Sequence, residues 1–81
     1  MKLKLVPPAF VPGIYQHYKG DLYWATSLSY HSENEEWLVQ YGPMTGPNIG
    51  VEFSRPLAMW EEMVDGVKRF SLYDAKKLMG V

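Results

Sequence analysis

The stretch "GIYQHYKGDLYW", residues 13 to 24, limits what this chain can become more than any other feature. Two runs rich in Tyr, Ile, Leu and Trp flank Lys19-Gly20-Asp21, which is the spacing of a β-hairpin. Glycine takes a positive φ without steric cost, so the turn is predicted to centre on Gly20. That centring sets His17 opposite Trp24 and Tyr18 opposite Tyr23. Side chains alternate strictly across a strand, so register decides which of these rings faces inward. In "LYWATSLSY" the residues Leu22, Trp24, Thr26, Leu28 and Tyr30 form the bulkier face, yet Tyr23 and Ala25 load the other. Both faces are then partly covered, as in a small barrel.

The rest of the chain continues in short strands. "HSENEE", residues 31 to 36, is a polar, acidic connection in which Ser and Asn favour turns. "EWLVQY" follows as a third strand with Trp37, Val39 and Tyr41 on one face. "GPMTGPNIG" is a loop by composition, a candidate flap with Gly42, Gly46 and Gly50 evenly spaced. "VEFS" reads as a fourth strand. In "RPLAMWEEMV", Pro56 suits a first helical position and predicts a single helical turn carrying Leu57, Met59 and Trp60. Asp65-Gly66 supplies another tight turn, with "KRFSLY" as the returning strand. The tail "SLYDAKKLMG" fits a short helix with Ser71 as N-cap, Asp74 at the capping-box position, and Ala75, Leu78 and Met79 on the face that docks. The pattern is that of a mainly β protein, a small SH3-like β-barrel of about five strands with a short C-terminal helix. We read it as one domain over residues 1–81: an extended proline-rich leader (1–12), the barrel (13–70) and the helix (71–81).

At 81 residues there is room for one core and none for a separate substrate domain. Aromatic residues make up 15% of the chain, and large rings let so small a core bury enough area. No cysteine is present, which excludes disulfides, zinc ribbons, iron-sulfur clusters and a thiol nucleophile. A cytoplasmic location is the simplest expectation. Pro7, Pro8 and Pro12 break the leader's apolar stretch, so it does not read as a signal peptide, and no run reaches the roughly 18 apolar residues of a membrane helix. Eight basic residues against nine acidic ones give no long-range pull toward nucleic acid or anionic lipid.

"GIYQHYKGDLY", "HSENEE", "VQY", "RPLAMW" and "RF" together resemble the bacterial family called domain of unknown function 1653 (DUF1653). The resemblance covers roughly residues 13 to 70. Matching positions are Gly13, Tyr15, His17, Tyr18, Lys19, Gly20, Tyr23, His31, Ser32, Glu33, Glu36, Tyr41, Arg55, Pro56, Met59, Arg69 and Phe70. Trp60 stands where the family has phenylalanine, Phe53 where it prefers tryptophan, and the "GPMTGPNIG" loop lacks the usual Leu-Tyr pair. The resemblance implies a small β-rich domain and no particular activity.

Each candidate site residue has a functional and a structural reading. His17 and Lys19 form an anion pocket with Arg55, or else His17 packs on Trp24 and Lys19 is solvated; the packing reading is the stronger. His31, Ser32 and Glu33 include a nucleophile, a base and a carboxylate, but consecutive residues cannot adopt triad geometry. His17, His31, Glu33 and Glu36 lack metal-ligand spacing, so no metal and no cofactor are expected. Ser32 and Glu33 more readily fix the turn by hydrogen-bonding its backbone. Arg55 either binds a ligand anion or pairs with Glu33 or Glu36, and the internal pair is preferred. Lys68, Arg69, Lys76 and Lys77 are flanked by Glu61, Glu62 and Asp65, a weak nucleic-acid signal. The glycine-rich loop lacks the ending of a phosphate loop.

Three tryptophans and six tyrosines exceed what one small core hides, so some rings should line a groove that accepts extended segments. The expected function is a non-catalytic binding or adaptor module for a protein segment or a small anionic ligand. Tyr15, His17, Lys19, His31, Glu33, Trp37 and Arg55 are its candidate contact residues. The rival is a small enzyme or ligand sensor that acts on an anionic metabolite through His17, His31, Glu33 and Arg55. An edge strand with exposed rings needs covering, which leaves homodimerisation open.

Overall fold

The computed structural model describes residues 4–73, and within them the chain is built mainly from strands. In order these are β1 (Gly13–His17), β2 (Leu22–His31), β3 (Glu36–Pro43), β4 (Phe53–Pro56), a single helical turn α1 (Leu57–Trp60), β5 (Met63–Val64), β6 (Val67–Lys68) and β7 (Phe70–Leu72). Five strands form one antiparallel sheet in the order β4-β3-β2-β1-β7, while β5 and β6 make a separate hairpin. The sheet curls into a half-barrel and stays open between β4 and β7, so the closed barrel expected from the strand order is not formed by these pairings. Among the described residues no helix is long and apolar enough to cross a membrane.

The first hairpin forms, but in a different register from the expected one. Ile14 lies opposite Trp24 and Tyr15 opposite Tyr23. The turn is centred earlier than the sequence suggested: the His17 N–H donates to the Asp21 carbonyl at 2.8 Å, and the Gly20 N–H to the His17 carbonyl at 2.7 Å. Gly20, at φ 111°, is the last residue of a three-residue loop, with Lys19 at its centre. The pairing is thereby displaced by three residues. An odd displacement exchanges the two faces, so Tyr15, His17, Tyr23 and Ala25 look into the concave side and Trp24 looks out.

A β-bulge then reverses the facing along β2. Ala25 pairs with Tyr41 but Ser27 pairs with Gln40, which leaves Thr26 as the extra residue. Beyond it Leu28 sits opposite Val39, and Tyr30 opposite Trp37. Leu28 therefore packs against the same core as Ala25, although the two are an odd number apart. The two loaded faces seen in "LYWATSLSY" are one concave face, continued through a bulge.

That face carries the core. Tyr15, Ala25, Val39, Tyr41, Trp60 and Phe70 are buried, with Phe10, Tyr23, Leu28, Phe53 and Leu57 packed around them. α1 follows Pro56 directly, and its purpose in the fold is to deliver Trp60. The Trp60 ring stacks on Phe70 at 3.8 Å between centroids and meets the edges of Tyr41 and Tyr15 at 4.9 and 5.2 Å. Offset and edge-to-face arrangements suit the ring quadrupoles and add to the area buried. Phe10 of the leader stacks on Tyr15 at 6.0 Å and fastens that segment to the core.

Three further expectations change in detail. β4 begins at Phe53 and not at Val51, whose N–H turns back to the Asn48 carbonyl at 3.0 Å. Pro56 ends β4 with extended backbone (ψ 135°) and stands just before the helical turn, not in it. Ser71 and Leu72 belong to β7, so Ser71 is a strand residue and not a helix cap. The remainder of the expected C-terminal helix lies outside the described residues.

Candidate functional site

At the β1–β2 turn end of the concave face, aromatic rings and cations meet. His17 packs on Tyr18, Phe70 and Tyr23, with ring centroids 4.4, 5.0 and 6.3 Å away. Trp24, the partner expected for it, is on the other face of the sheet. β4 pairs Arg55 with Val39, near the middle of β3, and the long side chain reaches from there to the rings of Tyr41 and Phe70. The Arg55 Nε–H donates to the Tyr41 hydroxyl at 3.2 Å, and the guanidinium lies over the Phe70 ring at 5.7 Å. Extended backbone before Pro56 sends the Arg55 side chain to the concave side. Its expected carboxylate partners, Glu33 and Glu36, are not paired with it, and the ion pair among the described residues is Arg69 with Glu62 at 2.7 Å.

His17 feels this environment directly. Burial lowers its pKa below the ordinary 6.5, and the neighbouring charges of Lys19, Arg55 and Arg69 push the same way, with Asp21 opposing. Nδ1 accepts the Lys19 N–H at 3.2 Å. The neutral ring therefore carries its proton on Nε2, which remains a donor. Burial likewise raises the Tyr23 phenol, helped by Asp21 and Tyr41 and countered by Arg55, so that hydroxyl stays protonated near neutral pH.

The other candidates are dispersed. Tyr15 is a core residue at 8% exposure, its hydroxyl donating to the Val11 carbonyl at 2.6 Å. Lys19 is exposed at the turn, 5.9 Å from the centroid of the Tyr18 ring. His31 closes the β2–β3 turn by accepting the Asn34 N–H on Nδ1 at 3.1 Å, and Glu33 is exposed in that turn. β2's ten residues put His31 and His17 at opposite ends of the sheet, on the order of 30 Å apart along the strand. His17, His31, Glu33 and Arg55 are thus not brought together as a shared reaction centre would require. Among the described residues no three or more potential metal ligands gather. Trp37 packs edge-on against Tyr30 at 5.1 Å and lines a shallow hollow with Pro56 and Leu57. Tyr41, Arg69 and Phe70, absent from the candidate set, complete the cationic end; their presence in "VQY" and "RF" was the available signal.

A larger groove lies elsewhere, along the open edge of β7. It measures about 510 Å³ and is walled by Phe10, Tyr15, Trp60, Phe70 and Leu72, with Lys68 at its rim. The Tyr18 N–H bonds to the Arg69 carbonyl, and the Tyr73 N–H to the Ile14 carbonyl. Residues 69, 71 and 73 thus turn their backbone groups toward β1, and Phe70 and Leu72 turn theirs outward. Volume and charge do not coincide: the groove is apolar, and the cations lie at the end of the sheet. Among the described residues, unpaired groups of β7 and apolar walls run side by side in the groove.

Residues 13–72 match a family described as "Protein of unknown function (DUF1653)". A crystal structure described as that of a protein belonging to DUF1653 from Bordetella bronchiseptica is similar, with a TM-score of 0.72 and 35% sequence identity. The match covers 79% of this chain and 87% of that one. No curated protein matches the chain.

Proposed function

The chain belongs to the DUF1653 family, and on that premise we propose that it is a non-catalytic recognition module that takes an extended protein segment as an added strand on β7. One observation supports this above others: the outward backbone groups of Phe70 and Leu72 border the aromatic groove. A segment laid there would gain main-chain hydrogen bonds from β7 and place alternate apolar side chains against Phe10, Trp60 and Leu72. SH3 domains also receive extended segments between aromatic walls, though as polyproline II helices and not as an added strand. The adaptor role rests on this surface and needs no acid, base or nucleophile.

The test is selection from a display library of random peptides, with Leu72→Pro as the counter-variant. Proline at 72 removes an outward donor and leaves the bonds of residues 71 and 73 to β1 in place. Enriched sequences should alternate apolar and polar residues and should bind Leu72→Pro at least about tenfold more weakly. Failure to enrich any sequence, or equal binding to the proline variant, overturns the reading.

A further inference from the structure

The cationic end of the concave face is a second site, separate from the groove. Three cations gather around His17, namely Lys19, Arg55 and Arg69, and two carboxylates answer them, Asp21 beside His17 and Glu62 on Arg69. Three minus two leaves one positive charge in excess. Arg69 is held by Glu62 at 2.7 Å, and among the described residues neither Arg55 nor Lys19 lies within ion-pair distance of a carboxylate. Of the Arg55 guanidinium, only Nε is engaged, by the Tyr41 hydroxyl. Among the described residues its two terminal amino groups have no hydrogen-bond partner.

The guanidinium is also held in place. Phe70 lies beneath it, and Tyr41, itself at 6% exposure and packed on Trp60 and Phe70, fixes Nε from the side. A fork fixed this way loses little conformational freedom when it binds, so its two free amino groups are set for a planar, bidentate acceptor. His17, with Nδ1 occupied by the Lys19 N–H, keeps its Nε2–H as a neutral donor at the same end of the face. Both residues are half-buried, reachable from solvent but partly desolvated.

We propose that this end of the face binds a single carboxylate group, held by the two free amino groups of Arg55 with His17 as a neutral donor beside it. One uncompensated charge balances a monoanion. A phosphate dianion would leave the site negative by one. Two parallel N–H groups in one plane match the two oxygens of a carboxylate, so the fork holds it through two bonds. A side-chain carboxylate of a protein and a free carboxylic acid share this chemistry.

The test uses acetate and inorganic phosphate as probes, titrated at constant ionic strength with chloride as the filler ion. The Arg55 Nε–H and the His17 ring protons are followed by NMR. Acetate should give saturable shifts at both residues, and phosphate should bind no more tightly than acetate. Arg55→Gln should weaken acetate at least about tenfold, and Lys68→Gln, a change in the groove, should leave it within about threefold. If Arg55→Gln does not fold, Arg55→Lys decides, because it keeps the charge but loses the fork and should still lose most of the affinity. A linear, unsaturable acetate response, an unchanged response in the folded arginine variant, or tighter binding of phosphate overturns the proposal. To separate the two carboxylate sources, a short Glu-containing peptide capped at both ends is compared with acetate; tighter saturable binding of the peptide assigns the site to a protein side chain, and equal or tighter binding of acetate assigns it to a free acid.

Discussion

Two glycines show how differently one residue type can be required. Gly20 has open space around it but a φ of 111°, whereas a Cβ on Gly42 would come within 2.8 Å of the Val51 carbonyl oxygen. Gly20→Ala should therefore cost about 1–2 kcal/mol through backbone strain alone. Gly42→Ala should cost about 1–3 kcal/mol and, unlike the first, displace the 44–52 loop, because the atom in the way is backbone. Urea unfolding measures both costs, and amide shifts confined to the loop distinguish the second. His17 makes a pH prediction. Its pKa in the folded chain lies below the ordinary 6.5, so the unfolded chain takes up the proton first as pH falls. The stability contributed by neutral His17 is present above 6.5 and is lost as pH drops through the interval below it. His17→Gln should flatten the dependence of the urea midpoint over that interval. Arg69 presents a harder case: among the described residues its Nε is buried with no hydrogen-bond partner, although the same guanidinium is bonded to Glu62 through a terminal amino group.

Among the elements, the bulge at Thr26 has the most influence for its size. Without it, either Tyr23 and Ala25 or Leu28 and Tyr30 would have to leave the concave face. Deleting Thr26 should thus cost at least about 2 kcal/mol, the value of burying one large apolar side chain, and urea unfolding would measure it. A loss well below that would mean β2 can slip past β3 without penalty. The same element explains what could be read from the sequence. Hairpin positions, the Asp65-Gly66 turn with both residues at positive φ, and the helical turn after Pro56 are local chemistry, and they were legible. Register was not, because Gly20 is compatible with a turn centred on it or ending at it, and the two differ by a face. Arg55 was legible as a functional candidate but its partner was not: a side chain's partner depends on which strands pair, and β4 sets it beside Tyr41 and Phe70.

For the whole molecule, the decisive packing unit is the nest of rings around Trp60. It joins the leader, β1, β3, β7 and α1 through Phe10, Tyr15, Tyr41 and Phe70. Trp60→Ala should cost about 3–5 kcal/mol, enough to unfold a marginal domain of this size, with loss of near-ultraviolet dichroism as the readout. Phe10→Ala removes a partly buried ring and should cost less, leaving the fold intact and loosening only the leader. The expected SH3-like closure was an inference from strand order, and strand order cannot report whether the two outer strands of the sheet, β4 and β7, meet. Here they do not, and the two margins of the sheet differ. β4 ends in Arg55 and Pro56, a charge and a residue with no N–H to give, while among the described residues the outward backbone groups of β7 have no strand partner. Fibre growth demands two adhesive rims on every subunit, and this one has a single adhesive rim. Copies crowded together are expected to halt at pairs, and sedimentation at high concentration should find nothing larger.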